Sequence, residues 1–85
     1  MADIDSEFQQ AVTAVSALAA DPGNDTKLQL YALYKQATAG DVDGKRPGFT
    51  NPVGRAKYDA WAGLAGTDAD EAKRQYVELV AGLAG

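Results

Sequence analysis

The sequence predicts an all-α fold, a four-helix bundle, from three observations. Apolar residues recur at helical spacing along most of the 85 residues. Clusters of glycine, proline and aspartate interrupt that pattern. Alternating runs of β-branched and aromatic residues, the mark of strands, are nearly absent.

Helix one is expected over about 5–19, capped by Asp5 or Ser6, with Phe8, Ala11, Val12, Val15 and Leu18 as its apolar stripe. Asp21-Pro22-Gly23-Asn24 reads as a turn. Helix two follows over about 25–39, with Asn24 or Asp25 as N-cap and Gly40 just past its end. From Asp41 to Val53 the glycines, prolines and turn formers exclude regular structure. A loop of roughly 13 residues is long for a compact domain, which marks it as functional or bridging. Within it, Arg46 is expected to anchor the loop through Asp41 or a helix end, and Pro47-Gly48 to set a turn. Helix three is expected over about 54–63, ending near Gly63 or Gly66. Thr67 opens helix four, whose first turn is acidic and whose stripe is Ala72, Tyr76, Leu79, Val80 and Leu83. Short links join helices one and two, and three and four. The long loop lets helix three run parallel to helix two.

Composition narrows the function. Eighty-five residues make a single domain over 1–85, too small to enclose a large cavity, so a ligand would lie in a groove between helices. The absence of cysteine and histidine removes disulfides, thiolate chemistry and the usual zinc ligands. Asp41 and Asp43 lack the further ligands of a calcium loop. No metal and no cofactor is expected. A nucleophile–base pair is not evident, which argues against an enzyme. The net charge of −4 argues against nucleic-acid binding. No apolar run reaches membrane-spanning length, and Met1 to Phe8 carries no secretory signature, so a cytoplasmic protein is expected. Charge is unevenly spread: residues 44–58 hold Lys45, Arg46, Arg55 and Lys57 and no acid. Two readings of that segment stand, a solvated loop and a local anion site.

Helix two carries two lines of residues. Leu30, Leu33, Tyr34 and Ala37 form a core face. Leu28, Tyr31 and Lys35, at i, i+3 and i+7, form a second line of one aliphatic chain, one phenol and one ammonium. A ligand with a tail, a ring and a phosphate would suit it. Lys57, Tyr58 and Trp61 follow downstream, Lys57 and Trp61 on one face of helix three, and Tyr76 lies on helix four. The tyrosines serve either as core residues that need hydroxyl partners or as a ligand platform. Lys35 and Lys57 serve either as phosphate contacts or as lysines snorkelling at the core edge.

The blocks Tyr34-Lys-Gln-Ala-Thr-Ala-Gly-Asp41, Arg46-Pro-Gly48, Ala56-Lys-Tyr-Asp-Ala-Trp61 and Gly66-Thr67, in that order and spacing, resemble the acyl-CoA-binding protein family. The likeness runs from about Phe8 to Leu83. It implies an up-down-down-up bundle and a monomeric carrier of medium- to long-chain acyl-CoA esters, with acyl-CoA-using enzymes as transient partners. Carried over by position, Tyr31, Lys35 and Lys57 would meet the 3′-phosphate of CoA. Tyr34 and Tyr76 match further contacts around the nucleotide, and Leu28 a position beside the acyl chain. Phe8, Trp61 and Tyr76 resemble the family's packing residues. Three positions that are often basic in the family are Ser16, Asp21 and Val53 here, with Arg55 placed to compensate, and Tyr58 stands for a usual tryptophan. The alternative is a helical protein-interaction module that has lost the ligand.

Overall fold

A computed structural model of the chain describes residues 3–84; Met1, Ala2 and Gly85, which the single-domain reading includes, lie outside them. The helices are α1 (Ile4–Ser16), α2 (Asn24–Ala39), α3 (Pro52–Ala62) and α4 (Ala69–Ala84). The described residues contain no strand. None of these helices is long and apolar enough to cross a membrane.

Local chemistry moves the helix ends from their expected places. The cap of α1 is Asp3, which accepts from the Ser6 N–H at 2.7 Å, not Asp5 or Ser6. At its far end α1 stops at Ser16, short of 19. There Ala17 and Leu18 donate three residues back, to Ala14 and Val15, and the Ser16 hydroxyl donates to the Thr13 carbonyl at 2.7 Å. Both patterns compete with the four-residue ladder. Neither Asn24 nor Asp25 caps α2; the cap is Gly23, at φ +94° and ψ 159°. That backbone region is accessible in practice only to glycine. Its N–H donates to Asp21 Oδ1 at 2.7 Å. Helix α3 begins two residues early, since Asn51 caps it by accepting from the Gly54 N–H and Pro52 suits the first position. Helix α4 begins at Ala69, two residues after Thr67, because Asp68 supplies the first ladder carbonyl, to the Ala72 N–H.

Cross-helix contacts fix the directions. Asp5 pairs with Lys73 and Phe8 meets Tyr76, a step of three in the same sense on both helices, so α1 and α4 run parallel. Lys57 lies over Tyr31 and Lys35 over Trp61, a step of four in the same sense, so α2 and α3 run parallel. Gln36, near the end of α2, reaches Thr67 just before α4, so these two are antiparallel. The result is the up-down-down-up bundle. Its core joins Phe8 and Ala11 of α1, Leu30, Leu33 and Ala37 of α2, and Ala72, Tyr76 and Val80 of α4. Tyr34 departs from the expected core face: it is 42 % exposed and stacks on Phe8 from the rim.

The long loop is pinned to α3 three times. Trp61 Nε1 donates to the Gly40 carbonyl at 2.8 Å, the Tyr58 hydroxyl to the Gly44 carbonyl at 3.1 Å, and Arg46 grips both oxygens of Asp59 at 2.8 and 2.7 Å. Asp59, not Asp41, is therefore the anchor of Arg46. Asp41 serves another joint, accepting from the Gly66 N–H and from Gln36 Nε2, both at 2.8 Å. Gln36 is only 1 % exposed, and its Nε2 also donates to the Thr67 carbonyl at 2.9 Å. One buried amide thus ties α2 to the α3–α4 turn.

Hydrogen bonds hold three carboxyls below the ordinary carboxylate range: Asp41 through Gly66 and Gln36, Asp59 through Arg46, and Asp21 through Lys27 and Gly23. A folded value below the unfolded one stabilises the fold above the unfolded value and loses that contribution as pH falls through the folded one. With no histidine in the chain, the melting temperature should be flat from about pH 5 to 7 and fall below about pH 4. Asp41→Asn, which keeps an acceptor oxygen but removes the charge, should shrink that acid-side fall in melts recorded against pH.

Candidate functional site

A groove of about 410 Å³ runs between α2 and α3. Leu28 and Tyr31 line it from α2, and Pro52, Val53 and Ala56 from α3. Parallel packing sets the first turns of both helices side by side, and the groove lies between them. Val53, at 65 % exposure, is one of three large hydrophobic residues exposed among the described residues.

Two lysines stand along the seam further toward the C-terminal ends. Lys57 Nζ sits 5.3 Å from the centre of the Tyr31 ring, and Lys35 Nζ 5.0 Å from that of Trp61. A ring face orients an ammonium without cancelling its charge. Lys27, Arg46, Lys73 and Arg74 are committed to Asp21, Asp59, Asp5 and Glu71. Among the described residues Lys35, Lys45, Arg55 and Lys57 have no carboxylate partner. All four lie on α2, on the loop or on α3; Lys57 lines the groove, and Lys35 stands along the same seam.

Of the six residues singled out in the sequence, the structure brings four to the α2–α3 seam. Leu28, Tyr31 and Lys57 line the groove, and Lys35 follows one helical turn beyond Tyr31. Tyr34 and Tyr76 lie elsewhere, either side of Phe8, where α1, α2 and α4 meet. Tyr76 is 4 % exposed, and burial, then the neighbouring Tyr34, raises its pKa above the ordinary phenol value. Its hydroxyl therefore stays protonated. Among the described residues the hydroxyls of Tyr31, Tyr34 and Tyr76 have no hydrogen-bond partner, whereas that of Tyr58 is spent on the loop. Trp61 donates to the Gly40 carbonyl and serves as the platform of Lys35.

Sequence reasoning missed most of the α3 wall. Pro52 and Val53 read as loop in the sequence because the run of glycines, prolines and turn formers extends to them. The Asn51-Pro52 pair, a cap followed by the residue favoured at the first helical position, was the available signal. Lys27, on the groove rim, gave no signal at all, since an exposed lysine on a helix is ordinary.

Comparison with known proteins places the whole chain in a family. Residues 5–80 match the family model described as acyl CoA binding protein. The acyl-CoA-binding protein of Saccharomyces cerevisiae is 44% identical over 73 residues, which cover 86% of this chain and 84% of that protein. The crystal structure of Oryza sativa acyl-CoA-binding protein 2 superposes with a TM-score of 0.91 at 38% identity, covering 96% of this chain and 91% of that one. Enoyl-CoA delta isomerase 2 of Rattus norvegicus is 46% identical over 77 residues, which cover 91% of this chain; the chain spans only 20% of that longer protein. The chain belongs to the acyl-CoA-binding protein family.

Proposed function

We propose that the protein binds medium- to long-chain fatty acyl-CoA esters and carries them as a monomer in the cytoplasm, exchanging them with acyl-CoA-using enzymes. The observation that carries this reading is the pairing of an apolar groove with two uncompensated lysines from two helices at one end of it. CoA bears about four negative charges near neutral pH, two of them on the 3′-phosphate. Lys35 and Lys57 neutralise that group, and the free hydroxyl of Tyr31 completes its hydrogen bonds. Tyr34 and Tyr76 offer their hydroxyls to the nucleotide from the neighbouring face. The acyl tail lies over Leu28 in the groove, where each buried methylene contributes up to about 0.8 kcal/mol. Head and tail are thus recognised by separate features. The seam residues are lysines, tyrosines and apolar side chains, which suits carrying the ester intact.

Isothermal titration calorimetry with hexadecanoyl-CoA below its micelle concentration, beside free CoA, tests the reading. The ester should bind tightly at one to one, CoA far more weakly, and the ester should be recovered intact. Equal affinity for CoA and ester would sink the groove model. No heat with either ligand from a folded sample would favour the protein-interaction module.

A further inference from the structure

We propose that Lys27, held by Asp21, closes the far end of the α2–α3 groove and sets the longest acyl tail that the protein rewards. The inference rests on the acyl-CoA reading above and names a residue that selects among esters.

The lysines that would meet the head group lie at one end of the seam. Lys57 stands at the level of Tyr31, and Lys35 at the level of Trp61, one turn further on. The groove extends the other way, toward the starts of both helices, past Leu28 and Val53 to Lys27 and Asn24. A tail anchored near Tyr31 therefore runs down α2 toward Lys27. The rise of a helix puts these two residues about 6 Å apart along the axis, and Asn24 about 10 Å from Tyr31.

Lys27 is not an idle surface lysine. It lines the groove, and its Nζ donates to Asp21 Oδ2 at 2.7 Å. The other oxygen of Asp21 accepts from the Gly23 N–H at 2.7 Å. The carboxylate is thus fixed in the α1–α2 turn, and it draws the lysine to that end of the groove. At 54 % and 64 % exposure the pair is a weak source of stability. It is an effective polar stop, because an alkyl chain pressed against hydrated charges gains no burial and takes water from them. Up to that stop each methylene of tail is removed from water; beyond it none is.

The test is a series of saturated acyl-CoA esters from eight to eighteen carbons, titrated into the wild type and Lys27→Met. Methionine keeps the linear shape and replaces the ammonium by an apolar end. The wild type should gain affinity with each two-carbon step up to a break and then stop. In Lys27→Met the break should move at least two carbons longer, so that the affinity ratio of the next longer ester to the one at the break rises toward about tenfold. A break at the same length in both proteins overturns the proposal. A uniform loss across the series also overturns it, since it would make Lys27 a head-group contact. Absence of binding at every length by the folded wild type would instead overturn the acyl-CoA reading itself. Melting curves of both proteins confirm that the variant is folded, which an exposed position allows.

Discussion

Phe8→Ala is expected to cost about 3–5 kcal/mol of folding stability, the range for deleting a buried aromatic ring. Phe8 is 1 % exposed and belongs to the core cluster that joins α1 to α2 and α4. Its ring meets Tyr76 edge-on at 5.0 Å and lies under Tyr34 at 5.9 Å. Its removal leaves a cavity where three helices converge, and the two tyrosines lose their common neighbour. A domain of this size has a total stability of roughly 4–13 kcal/mol. The substitution therefore takes about a quarter of it or more. Urea denaturation followed by circular dichroism should show the midpoint falling steeply at unchanged slope. A loss under about 1 kcal/mol would mean that the packing around Phe8 relaxes to fill the space.

Lys57→Ala should weaken binding of hexadecanoyl-CoA by about 10- to 100-fold, the effect of removing one charge-assisted contact to a phosphate. Free CoA should weaken by the same factor, because the lost contact is to the head group alone. Stability should hardly move, since the side chain is exposed and its contact with the Tyr31 ring is worth at most about 1 kcal/mol. Calorimetry and a thermal melt on the same sample separate the two effects. If ester binding fell while CoA binding held, Lys57 would be bounding the tail and the assignment of the phosphate end would be reversed.

The four helices were legible because breakers and helical spacing are local signals. Gly40 ends α2 where expected, at φ +86°, and the turn at Asp21-Pro22 separates α1 from α2. The ends that differed were set by single backbone groups. Nothing in the order of residues ranks Gly23 above Asn24 as a cap; the positive φ does, and that is a property of the folded turn. Half of the site was legible for the same reason. Leu28, Tyr31 and Lys35 share a helix, so their spacing alone aligns them. Tyr34 and Tyr76 read as equals of Tyr31, and only packing sets them on another face beside Phe8. The grip of Arg46 on Asp59 spans 13 residues and a loop, beyond any periodicity. Gln36 was hidden inside a motif, and its burial shows why a polar residue belongs there.

The pinned loop has a mechanical consequence. Three of its ties end on α3, through Tyr58, Asp59 and Trp61, a fourth at Asp41 holds its start to Gln36 and Gly66, and α3 packs against α2 alone among the helices. No residue of α3 is fully buried, whereas the other three helices share one core. Loop and α3 thus form one unit beside a three-helix core, joined to it along the α2 seam and at the joint of Asp41, Gln36 and Gly66. Such a unit opens at lower free energy than the core does. The α3 wall of the groove therefore belongs to the least buried part of the molecule, and its amide hydrogens should exchange ahead of those of the core.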